Sequence, residues 1–158
     1  MNIVSSLAGG LAGALAVTLL NEALKKIDPD APRMDRMGMD AVSKGFRAAH
    51  KPVPSDHKLY RYGMLGDLVA NTLYFSFTGK GSSRKSLFRG GLLGLSSGMG
   101  AVFTPEYLGL DPEPSNRTTK TQVMTVAYYL IGGLVAGAVS KMIEKKNTPA
   151  PVRRFSVF

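Results

Sequence analysis

The apolar residues of this chain fall into four blocks, and nearly all of its charge lies between them. The chain average hides this, with a mean hydropathy of only +0.02. Segregation of this kind is what a bilayer demands, because a charge at the membrane centre costs about 2.5–3.5 kcal/mol even on the lenient insertion scale. The blocks cover about residues 3–20, 63–79, 90–104 and 123–142. They predict an all-α membrane protein, a four-helix transmembrane bundle forming the single domain that 158 residues allow.

None of the nine prolines falls inside a block. Pro29 and Pro32 follow the first, Pro105 closes the third, and Pro112 and Pro114 precede the fourth. In the first loop, residues 34–50 read as an amphipathic helix ended by Pro52 and Pro54. Met39, Val42, Phe46 and Ala49 share one face, and Arg36, Asp40, Lys44 and Arg47 the other. Such a helix either lies in the membrane interface or packs on other extramembrane parts. The second and third blocks are short and joined by a basic turn over residues 80–89. They read as two spans in a tight hairpin, with a re-entrant pair as the alternative. Tyr60, Tyr62 and Tyr107 sit at span ends, where an aromatic belt belongs. The proline-rich tail, 147–158, reads as extended. The opening Met1-Asn2-Ile3 carries no Lys or Arg, and the apolar run after it is too long for a cleavable signal.

With no cysteine, disulfides and thiolate metal sites are excluded. The net charge of +9 comes from Lys and Arg that flank apolar blocks rather than form one basic face. They read as topology signals and contacts for anionic lipid headgroups, not as a nucleic-acid surface. The two sides of the membrane share the 20 Lys and Arg almost evenly, so the charge does not set the orientation of the termini.

The most specific signal is small residues four apart. The first block has Ser5, Gly9 and Gly13, beside a second row of Ser6, Gly10 and Ala14. The third has Gly90, Gly94 and Gly98; the fourth has Gly132, Ala136 and Ser140, beside Gly133 and Gly137. Residues four apart share a helix face. Within lipid, close backbone approach over such residues holds helices together. Double rows on the first and fourth blocks offer one face to a neighbour inside the bundle and another to a neighbour outside it. The expected partners are therefore membrane lipids and either further transmembrane subunits or copies of the same chain.

The second block carries a polar stripe of Asp67, Asn71, Tyr74 and Thr78, all on one helix face. An ionisable residue within a span is a functional candidate by default: a proton or ion site, or a polar ligand pocket. The structural reading is preferred here. It makes Asp67 a helix-start carboxylate paired with Arg61, and Asn71 and Tyr74 interhelical hydrogen-bonders. Glu22 reads as a partner of Lys25 or Lys26. His50 and His57 share the proline-bounded loop without a partner ligand at suitable spacing, so neither a metal nor a haem is expected. No nucleophile elbow, phosphate loop, dinucleotide fingerprint or zinc motif is present, and no cofactor or catalytic residue is expected. Asn116-Arg117-Thr118 matches a glycosylation sequon, a pattern that short sequences often match by chance.

The opening Leu7-Ala-Gly-Gly-Leu-Ala-Gly-Ala-Leu-Ala-Val-Thr-Leu-Leu20, followed by Asp30-Ala-Pro-Arg-Met-Asp-Arg-Met-Gly38, resembles small, glycine-rich, four-span bacterial membrane proteins of the YagU-like group. The resemblance covers about the first forty residues and implies the bacterial inner membrane. It carries over no functional residue. Together these features lead to a non-catalytic accessory or scaffold subunit of a larger membrane complex. The alternative is a small oligomeric transporter or channel that uses the polar stripe, and a membrane enzyme acting on lipid or quinone ranks third.

Overall fold

A computed structural model describes residues 3–79 and 83–147. All regular structure among them is helical: α1 (Ile3–Leu24), α2 (Met34–Ala48), α3 (Asp56–Ser76), α4 (Ser83–Phe103), α5 (Glu113–Asn116) and α6 (Thr119–Asn147), with 3-10 turns at Phe77–Gly79 and Glu106–Leu108. The tail from residue 148 and the start of the basic turn, residues 80–82, lie outside the described residues. Ile3–Leu24 and Thr119–Lys146 are each long and apolar enough to cross a membrane. α3 begins seven residues before its apolar block, and α4 likewise starts within the basic turn. Charged side chains bound an apolar run without stopping a helix, whereas Pro54, just ahead of Ser55 and α3, does.

The long helices stand side by side in the order α3, α1, α6, α4. Each runs antiparallel to its neighbour. Gly10 faces Thr72 and Ser76, and Gly79 faces Ser6. Gly9 faces Ser140, and Gly13 faces Gly132. Gly90 faces Gly133, and Gly98 faces Val126. A Cβ on Gly13 would stand 2.5 Å from the Gly132 carbonyl oxygen, and one on Gly98 would stand 2.7 Å from the Val126 Cα. No side chain fits at such separations, so these glycines set how closely the helices approach. Phe75 fills the space that Gly13 and Gly132 leave open and heads the buried cluster with Val17, Tyr129 and Ala136.

Both rows of α1 are therefore occupied within the chain. Ser5, Gly9 and Gly13 lie on the side of α6, and Ser6, Gly10 and Ala14 on the side of α3. In α6, Gly132, Ala136 and Ser140 meet α1, while Gly133 and Gly137 meet α4. Two rows on a helix serve two internal neighbours, and neither row is left for an outside partner.

Residue size is distributed inside out. The fully buried side chains include Ser5, Ser86, Ser140, Thr78, Thr121 and Thr125, whereas Leu19, Leu65, Leu73, Phe77, Phe88, Phe103 and Met142 are more than half exposed. Water would drive the large apolar groups inward. Lipid removes that drive and rewards small interior residues.

The two long loops close one end of the bundle as a single cap. The Arg33 N–H donates to the Pro114 carbonyl at 2.9 Å, and the Asp111 N–H to Asp40 Oδ2 at 3.0 Å. Lys120 pairs with Asp28 at 2.7 Å, and Arg117 donates to the Pro29 carbonyl. α2 lies on α3 through Gly38 and Gly63, a glycine pair between a loop helix and a long helix. It also reaches the other loop, Lys44 donating to the Gly109 carbonyl. His50 adopts φ 54° where the chain turns off α2, and the Lys51 N–H closes the turn onto Phe46. Gly45 lies exposed within α2, and a Cβ there would meet nothing within 4 Å. Gly45→Ala is expected to stabilise the protein by about 0.5–1 kcal/mol, by lowering the backbone entropy of the unfolded chain. A rise in thermal unfolding temperature in detergent checks this.

Candidate functional site: a groove between α3 and α4

The two edge helices, α3 and α4, scarcely touch although a short turn joins them. Between them lies a cavity of about 670 Å³. α2 borders it with Met34 and Val42, and Leu108 and Leu110 add the second loop. The Tyr74 hydroxyl hydrogen-bonds the Ser96 hydroxyl across it at 2.9 Å. Tyr129, from α6, also lines it.

The small residues Gly66, Ala70, Gly100 and Ala101 line the cavity. A Cβ on Gly66 or Gly100 would meet nothing within 4 Å, in contrast to the glycines of the helix seams. Gly100 lies in the row Ser96, Gly100, Thr104, another set of small residues four apart. The open space is thus built into the sequence as small residues facing a gap.

The polar stripe divides over two places. Asp67 and Tyr74 line the cavity. Asn71 is buried beside them and donates its amide to Asp67 Oδ1 at 2.9 Å. Thr78 lies in the 3-10 turn, fully buried. Its carbonyl accepts a bond from the Ser86 hydroxyl at 2.7 Å, and that hydroxyl also reaches the Gly137 carbonyl at 3.1 Å. Thr78 therefore belongs to the junction of the turn with α4 and α6, not to the groove. Among the described residues no cation lies within ion-pair distance of Asp67; Arg61, one turn and a half before it, makes no such pair. Tyr129 and Ser96 complete the groove and are absent from the sequence reading. The signal for Tyr129 is a hydroxyl-bearing aromatic in the middle of a span rather than at its edge.

The other candidates fall into structural roles. Glu22 pairs with Lys25 at 2.6 Å, and it also accepts from the Tyr60 hydroxyl at 3.1 Å. Lys25 extends to Asp35 at 3.2 Å, and Arg33 pairs with Asp35 at 2.9 Å. Burial alone pushes the Asp35 carboxyl up, but its hydrogen bonds from Arg33 and Lys25 prevail and hold it below the usual carboxylate range. Asn116 of the sequon donates its amide to the Val102 carbonyl at 2.7 Å. His50 and His57 are both exposed, and no group of His, Asp and Glu among the described residues has the arrangement of a metal site.

No family model, curated protein or solved structure matches this chain.

Proposed function

We propose that this chain is a four-span membrane protein that takes a small amphiphilic molecule from the bilayer into the groove between α3 and α4. The four-span setting is supported by the inside-out distribution of side chains and by helix length. α1 and α6 are each long and apolar enough to cross a membrane, and α3 and α4, of 21 residues each, lie antiparallel beside them. The bacterial inner membrane is the home implied by the resemblance of the first forty residues. The role in binding or transport is carried by one observation: the chain packs every other small-residue seam and leaves this one as open space, with a carboxylate in its wall.

The test is purification in mild detergent followed by native mass spectrometry. The wild-type protein is expected to retain a bound mass of lipid size. Gly66→Leu and Gly100→Leu fill space that is open, so they are expected to lose that mass at unchanged thermal stability. Retention by both filled variants would count against the groove as the site.

A second reading, an accessory or scaffold subunit, is favoured by the same open row at Ser96, Gly100 and Thr104. There a helix from a partner or a second copy would lie across the groove mouth. Its signature is a co-purifying chain or a dimer mass that Gly100→Leu removes.

A further inference from the structure

We propose that the amphiphile carries an ammonium head, bound by the Asp67 carboxylate among the tyrosines of the groove, and that it carries no phosphate. This rests on the groove being a ligand site. Three observations select the head. Asp67 receives one hydrogen bond, from Asn71 to Oδ1, and among the described residues nothing donates to its Oδ2. That oxygen can accept two further donors. A carboxylate at membrane depth is stabilised by a donor that brings positive charge, and none of the described residues supplies one within ion-pair distance.

The second observation is aromatic. Tyr62, Tyr74 and Tyr129 line the same cavity as Asp67. Ring faces attract ammonium groups, and a carboxylate with several aromatic rings is the usual composition of an ammonium pocket. The third is what is missing: among the described residues, no Lys, Arg or His lines the cavity. A phosphate or carboxylate head would meet Asp67 with no cation to offset the repulsion. The rest of the lining is mostly apolar or small, Met34, Val42, Ala70 and Ala101 among it, and accepts an alkyl chain.

Three photoreactive dodecyl probes, an ammonium, an alcohol and a carboxylate, separate the ideas. Each is added to the full chain in lipid nanodiscs, and the labelled residues on α3 and α4 are read by peptide mass spectrometry. The ammonium probe is expected to label the groove about tenfold more than the carboxylate probe, the scale of a desolvated cation–π and ion-pair contact. Asp67→Asn should bring ammonium labelling down to the level of the alcohol. Equal labelling of the wild-type groove by all three probes overturns the ammonium assignment and leaves the groove as an amphiphile site. No groove labelling by any probe, or labelling that Gly100→Leu leaves unchanged, overturns the ligand site itself. The comparison on the wild-type protein decides the head group even if Asp67→Asn does not fold. A partner helix cross-linked into the groove, excluding all three probes, would replace the small ligand with a protein.

Discussion

Gly133→Leu is expected to abolish the native bundle. A Cβ at Gly133 would run into the Gly90 carbonyl oxygen and stand 2.9 Å from the Gly94 Cα. Neither obstacle is a side chain that can rotate away, so α4 and α6 must separate along their length. Overpacking a well-fitted interior commonly costs about 1–3 kcal/mol, and forced backbone displacement lies at or beyond the top of that range. Size-exclusion chromatography in mild detergent should show aggregated or misassembled material in place of a single peak. The matched control is Gly100→Leu on the opposite side of α4, where open space receives the side chain. If Gly133→Leu unfolds at the wild-type temperature, the α4–α6 contact is not as close as described.

Asp35→Ala should be the most damaging single change in the cap. The Asp35 side chain is only 7% exposed and holds both Lys25 and Arg33. Its loss strands Lys25, whose side chain is 14% exposed, with Glu22 as its remaining partner. Removing one member of a buried ionic cluster typically costs about 3–5 kcal/mol. The remaining Glu22 contact and the partial exposure of Arg33 place this case near the lower end. The pH dependence has a definite sign. The folded-state pKa of Asp35 lies below the ordinary carboxylate value, so its contribution is present above that value of about 3.9. It is lost as pH falls further, through the folded pKa. The wild-type unfolding temperature should therefore drop on acidification below about pH 4, and that of Asp35→Ala should drop less over the same window.

Much of the helical framework was legible in spacing. A small residue every fourth position on the first, third and fourth blocks marks the faces at which the backbones meet, because repeat distance along a helix is a local property. Which helix meets which face is not local. Gly9 and Gly10 are adjacent in sequence and face different helices, α6 and α3, and nothing in a row names its mate. The polar stripe was legible as one face of a helix, but its partners were not: Asn71 bonds Asp67 within α3 rather than a neighbouring helix, and Asp67 lies well inside α3 rather than at its start beside Arg61. The groove was not legible. Its wall takes Asp67 from α3, Ser96 from α4 and Tyr129 from α6, residues that only the packing of three helices brings to one cavity. The start of α3 was hidden for another reason. Hydropathy marks only the apolar run, and helical structure extends ahead of it through Asp56, Lys58 and Arg61.

The first helix of the chain finds its most extensive neighbour in the last. α6 is also the last long helix to be synthesised, so α1 and α3 can meet before the α1–α6 seam forms. During that interval the α6-facing seam of α1, with Gly9 and Gly13, stands open, because Gly132, Ala136 and Ser140 do not yet exist on the nascent chain. Assembly is consequently a closing step, in which the final helix enters between α1 and α4 and joins them.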